Sequence, residues 1–112
     1  MILALIEHDR GIISPYSLQL LTYAHELAKG DSTNVKAVVI GNNVQVLTSE
    51  LRKYSSDGII IIEDERLENF NAEAWVECII QIAEAKEPSI IMAAATDKGN
   101  EVLAHVGARL DL

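Results

Sequence analysis

The chain is short of cysteine, proline, aromatics and basic residues, and each shortage removes a class of answers. Cys78 is the single cysteine among 112 residues, so no intrachain disulfide forms and a thiolate metal cluster is excluded. Nine Lys and Arg face 17 Asp and Glu, a formal net charge of -8. Nucleic acid is bound largely through basic side chains that displace counterions from phosphates, so it is not an expected partner. No basic amphipathic face marks an anionic membrane surface. No apolar run approaches the roughly 20 residues that cross a bilayer. The first strand-like run begins at Ile2 with no basic, cleavable leader before it, which gives an expected location in the cytoplasm of a microbe, without membrane insertion.

What is present is 49% hydrophobic sequence, enough for one domain over residues 1–112 with a single buried core. Four apolar runs recur: Ile2–Ile6, Val35–Ile40, Gly58–Ile62 and Ser89–Ala95. They are nearly continuous rather than alternating, and β-branched residues dominate the first three, as in parallel strands covered on both faces.

The segments between them have helical period. Ser14 is placed to cap a helix with Pro15 in its first turn, and Leu18, Leu21, Ala24, Leu27 and Ala28 line one face before Gly30 ends it. A shorter helix carries Val44, Leu47, Leu51 and Tyr54. A third runs from Asn71 to Lys86 with Ala72, Trp75, Val76, Ile79 and Ala83 inward, and Pro88 blocks its continuation. A fourth starts near Lys98 and buries Val102, Leu103, Val106 and Leu110. Strand–helix alternation of this kind predicts an α/β, doubly wound parallel sheet in three layers with four βα units.

Ligands of such sheets lie beyond the carboxyl ends of the strands. That rule selects the turns Glu7–Gly11, Gly41–Asn43, Glu63–Arg66 and Thr96–Asn100. The last is the strongest phosphate candidate, because a helix start offers free N–H groups and the positive end of its dipole, and Gly99 admits close approach. The candidate cofactor-binding positions are accordingly Thr96, Lys98, Gly99 and Gly41. Asp97 and Glu101 flank the same start, however, and two carboxylates there cap the helix themselves and repel a phosphate. Capping is the preferred reading, and no cofactor is expected on this chain.

The other chemistry-bearing residues take plain structural readings. Glu7, His8 and Asp9 lack paired metal-ligand spacing, so a hydrogen-bonded loop is expected and no metal. His25 and His105 read as surface or half-buried histidines, Cys78 as a small buried hydrophobe. Glu7, Asp9, Asp64 and Thr96 also sit where an aspartyl-phosphate receiver domain places its site. The lysine after a fifth strand that such a site needs is not in the chain.

The ordered segments ALIEHDRGIISPYSLQLLTYAHELAKG, VKAVVIG and YSSDGIIIIEDERLENFNAEAWVECIIQIAEAKEPSIIMAAATDKGNEVLAHVGARLDL resemble the amino-terminal domain of the electron transfer flavoprotein alpha subunit. The specific parts are the Glu7–Gly11 turn, the Glu68–Ala74 approach to the third helix, and the Ala-Thr-x-x-Gly turn leading to Gly107–Leu110. The resemblance implies a nucleotide-binding-like fold of the adenine nucleotide alpha hydrolase type. It also implies a scaffold and interface role, not an enzyme, in a heterodimer with a beta subunit that carries electrons from dehydrogenases to an acceptor. FAD in that family is held mainly by a carboxy-terminal domain of the alpha subunit, and AMP, where found, belongs to the beta subunit. Asp97, Asn100 and Ala104-His105 replace a serine, a basic residue and Pro-Arg of the family pattern, which weakens any anion contact. A chain stopping at Leu112 reads as incomplete, with an unpaired fourth strand that favours homo-oligomers. The alternative is a stand-alone small nucleotide-binding or stress-type α/β module.

Overall fold

A computed structural model describes residues 1–54 and 57–111; Ser55 and Ser56, inside the third quoted segment, and the terminal Leu112 lie outside the described residues. The main sheet has four parallel strands, β1 (Ile2–Ile6), β4 (Val35–Gly41), β5 (Ile59–Glu63) and β6 (Ile90–Met92), in the order β5-β4-β1-β6. Helix α1 (Pro15–Asp31) follows β1, α2 (Thr48–Leu51) follows β4, α3 (Ala72–Lys86) follows β5 and α4 (Asp97–Arg109) follows β6. The four expected βα units are therefore present, and the fold is α/β.

Side-chain alternation along the two central strands builds both halves of the core. Ile2, Ala4 and Ile6 with Val35, Ala37 and Val39 meet Leu21, Ala24 and Ala28 of α1 and Leu51 of α2. Leu3, Leu5, Val38 and Ile40 point the other way, into Trp75, Val76 and Ile79 of α3 and Val102 and Val106 of α4. Successive strand residues face opposite layers, so only a strand clad on both faces needs an unbroken apolar run. The outer strands fit the expectation less well. Ile59–Ile62 of β5 and Ile90–Met92 of β6 are half-buried, because each pairs with one neighbour only.

Helix ends depart from the sequence reading in informative ways. Ser14 stands at the N-cap of α1, but its side chain caps nothing; its amide donates to the Glu7 carbonyl at 2.9 Å instead. Gly30 does not end α1, which continues to Asp31 and closes with Ser32 in the left-handed region at φ 53°. α3 behaves as expected: Asn71 Oδ1 accepts from the Ala74 amide at 3.0 Å, and Glu87 takes φ 47° just before Pro88, which disfavours further right-handed helix.

Three further differences concern extent. The second helix is a 3-10 turn at Val44–Leu47 followed by the single-turn α2, and Tyr54 is 41% exposed rather than inward. β6 covers three residues, not the seven of Ser89–Ala95, since Ala94 turns the chain by accepting from Thr96 N at 2.8 Å. The Glu7–Gly11 turn is part of a small antiparallel hairpin, β2 (His8–Asp9) with β3 (Ile12–Ile13). Arg10 and Gly11 both take positive φ, 51° and 78°, the backbone that a tight two-residue hairpin requires.

Trp75 is the largest side chain between α3 and the sheet, 4% exposed and packed in one cluster with Val38, Ile40, Ile60 and Ile62. Trp75→Ala is expected to cost about 3 to 5 kcal/mol in denaturant unfolding, the usual penalty for truncating a buried large aromatic. A loss under about 1 kcal/mol would contradict this packing.

Candidate functional site

Chain order in the sheet runs from β1 outward through β4 to β5, then returns to the far side of β1 with β6. The reversal leaves a crevice above the carboxyl ends of β1 and β6, where doubly wound sheets receive ligands. Glu7 follows β1 and Thr96 follows β6, so the fold itself delivers these two residues to the crevice.

They meet there. The Thr96 hydroxyl donates to the Glu7 carboxylate, 2.7 Å from Oε1 and 2.8 Å from Oε2, one proton shared between two oxygens. The same hydroxyl accepts from the Gly99 amide at 3.0 Å, which makes Thr96 the N-cap of α4. Glu7 is 7% exposed, and its own amide donates to the Ser17 hydroxyl of α1 at 2.9 Å. A three-part tie thus joins β1, α1 and α4 at the switch point. Asp97 and Glu101, expected to cap α4, are exposed; Thr96 performs that task because its short side chain reaches the third amide of the helix.

Gly99 is small for an internal reason. A Cβ built there would collide with the Ala94 carbonyl and lie 3.2 Å from Thr96 Oγ1, so the space beside it belongs to the chain's own backbone. Gly41 is similar: a Cβ would stand 2.8 Å from His8 Cε1 and 2.9 Å from Val44 Cγ1. The fourth candidate, Lys98, turns away from the helix start, with Nζ 5.0 Å from the centroid of the Phe70 ring, a cation–π distance. Thr96 and Gly99 are therefore brought together, while Lys98 lines a neighbouring cleft and Gly41 packs against His8 and Val44.

That cleft, of about 580 Å³, opens over the ends of β1, β4 and β5. His8 Nε2–H donates to the Ile40 carbonyl at 2.7 Å, which fixes the ring beside Trp75 at 6.1 Å between centroids and 25° between planes. Phe70 meets Trp75 edge-on at 5.0 Å. Sequence reading placed Trp75 in the core and left Phe70 without a role. Their meeting with His8 depends on three segments far apart in the chain, and no periodicity announces it.

The remaining candidates are dispersed. Asp64 accepts from the Arg66 amide at 2.8 Å and from Arg66 Nε at 3.0 Å, with Nη2 2.8 Å from its other oxygen. Those hydrogen bonds hold its carboxyl down to about 2. β4 separates β5, and with it Asp64, from β1, so Asp64 does not join Glu7 and Thr96 as a receiver site requires. His25 Nδ1 lies 3.8 Å from Asp57 and His105 is exposed on α4. Cys78 is half-buried, and burial pushes its thiol up, away from the reactive thiolate. Among the described residues no group of three or more His, Cys, Asp and Glu side chains is placed to hold a metal ion. Nor is any described helix long and apolar enough to cross a membrane.

A doubly wound α/β module whose switch point is tied by its own side chains defines the class of protein. Residues 2–112 match the electron transfer flavoprotein domain, and the chain belongs to that family. It is similar to the electron transfer flavoprotein subunit alpha of Thermoanaerobacterium thermosaccharolyticum, 28% identical across 93% of this chain and 32% of the relative. It is similar also to the LctC subunit of the lactate dehydrogenase (NAD(+),ferredoxin) of Acetobacterium woodii, 30% identical across 93% of this chain and 25% of the relative. A third relative is the acryloyl-CoA reductase electron transfer subunit beta of Anaerotignum propionicum, 21% identical across 93% of this chain and 28% of that protein. The chain spans about a third or less of the length of these relatives. Its relatives thus include electron transfer flavoprotein alpha subunits, and others are named as parts of a dehydrogenase and of a reductase.

The Gly99 contact gives a direct check. Gly99→Ala forces the new methyl against the Ala94 carbonyl, and overpacking of this kind costs about 1 to 3 kcal/mol. Thermal or denaturant unfolding reads the loss; a stabilised variant, as helix propensity alone predicts, would show that the space is open.

Proposed function

We propose that the chain is the amino-terminal scaffold and subunit-interface part of an electron transfer flavoprotein alpha-type subunit. It works in a heterodimer with a beta-type subunit, which passes electrons from dehydrogenases to an acceptor. The observation that supports this best is the unbroken family match over residues 2–112, on a chain that spans only a third of its alpha-subunit relatives. In this reading the cofactor chemistry resides in FAD, held by a part of the subunit beyond these residues. A lone, half-buried thiol on Cys78 suits the reducing cytoplasm in which the proposal places it.

The residues here do not fit FAD. A dinucleotide needs a helix start with free amides for its pyrophosphate, whereas the Gly99 amide at this start is taken by Thr96 Oγ1. The buried Glu7 carboxylate beside it adds like-charge repulsion to any phosphate. We therefore assign no flavin contact and no catalytic step to Thr96, Lys98, Gly99 or Gly41. What Thr96 and Gly99 do, together with Glu7 and Ser17, is hold β1, α1 and α4 in register, so that the outer surfaces keep a fixed form for a partner subunit.

The purified chain is expected to show no visible flavin absorption after incubation with FAD and desalting, and to co-purify with a beta-type subunit when the two are expressed together. Yellow protein with stoichiometric flavin bound to this chain alone would overturn the scaffold reading. A micromolar affinity for AMP that is lost on Gly99→Val would favour the nucleotide-binding module instead.

A further inference from the structure

The cleft beside the tied switch point has the makings of a site that the scaffold role leaves unused. Its volume of about 580 Å³ falls within the range of small-molecule pockets, roughly 300 to 1,000 Å³. One wall is aromatic: His8 stacks on Trp75 at 6.1 Å and Phe70 meets the indole edge-on at 5.0 Å. Three carboxamides, Asn42, Asn43 and Asn69, line the same space, and none enters a side-chain hydrogen bond among the described residues. Each offers two donors and an acceptor. Asn43 is held there in the left-handed region at φ 55°.

A second observation is independent of the opening. Trp75, part of the cleft wall, is 4% exposed, and its Nε1–H is buried with no hydrogen-bond partner. Buried polar groups are nearly always paired, so this orphaned donor marks an incompletely satisfied wall. The His8 Nε2–H is already spent on Ile40 O, which leaves Nδ1 as the ring's other polar atom. The asparagine amides and the flat aromatic side chains therefore line one space.

The charges select the kind of ligand. Glu7 is committed to Thr96. Glu7, Asp9 and Glu68 stand against Arg10 and Lys98 around the cleft, three acids to two bases, so there is no surplus of cations to replace the hydration of a phosphate. The best match is a planar, uncharged, nitrogen-bearing ring system with hydrogen-bonding edges. We propose that the cleft between the His8–Ile13 hairpin and the Leu67–Phe70 segment binds an uncharged nucleoside, with its base against the His8–Trp75–Phe70 wall and its edge on the asparagines.

Trp75 is the single tryptophan of the chain and forms part of that wall, so its emission is the natural reporter. The purified chain is titrated separately with adenosine, guanosine, cytidine and uridine. At least one is expected to change Trp75 fluorescence saturably, with half-saturation below about 1 mM. The double variant Asn42→Ala, Asn69→Ala, at half-buried and exposed loop positions, is expected to raise the dissociation constant about fivefold or more, the equivalent of one lost hydrogen bond. Circular dichroism confirms that it remains folded, and ligand-observed saturation-transfer NMR supplies a readout independent of the indole. AMP is expected to bind no more tightly than adenosine. No saturable signal by either method with any of the four, an unchanged affinity in the folded double variant, or AMP binding more than tenfold tighter than adenosine would each overturn the proposal.

Discussion

The arrangement of the carboxyl end of the sheet depends on one buried carboxylate. Glu7 ends β1, and a charged group removed from water must be met by donors or it destabilises the fold. Its side chain takes the Thr96 hydroxyl at 2.7 and 2.8 Å, and its backbone amide gives a proton to Ser17. The first contact spans 89 residues of sequence and fixes where α4 begins. The second fixes α1 against β1. Thr96 also caps α4 through Gly99 N, and Gly99 nests on the Ala94 carbonyl, so the Glu7 side chain ties β1 to the start of α4 while its backbone amide holds α1.

This tie has a functional consequence. In a doubly wound sheet the switch point is the natural place for a phosphate, and here the Thr96 hydroxyl and the Gly99 amide are engaged internally. An open cleft lies to the side, over β1, β4 and β5, where the His8–Trp75 stack forms a wall. At the place where such sheets commonly hold an anion, this chain carries its own Glu7–Thr96–Gly99 hydrogen bonds. The outer strands β5 and β6 each lack one neighbour, and their half-buried apolar residues are the places where the sheet is least self-sufficient.

Legibility followed range. The four strands and four helices could be read from the sequence because apolar runs and helical period are local signals, and Asn71 and Pro88 punctuate α3 through chemistry confined to a few residues. Gly30 misled because it is exposed and can be tolerated inside a helix, and the left-handed position fell to Ser32. The hairpin at His8–Ile13 was missed because Arg10-Gly11 does not advertise a turn as Asn-Gly does. The seven-residue apolar stretch at Ser89–Ala95 overstated β6, since its small residues serve a turn as well as a strand. Within the site, the turns were placed correctly by topology, but the partners were not. Nothing near Glu7 announces Thr96, and Gly99 reads equally as an opening for a ligand or as room for the chain's own carbonyl.

The central claim is that Glu7 and Thr96 act as a unit at the switch point. A double-mutant cycle of Glu7→Ala and Thr96→Ala in denaturant unfolding tests it most directly, because the cycle subtracts the helix-capping loss that Thr96→Ala carries alone. The account predicts a coupling of about 1 to 3 kcal/mol, the scale of a hydrogen bond to a buried charge. Additive losses, with coupling under about 0.5 kcal/mol, would contradict it.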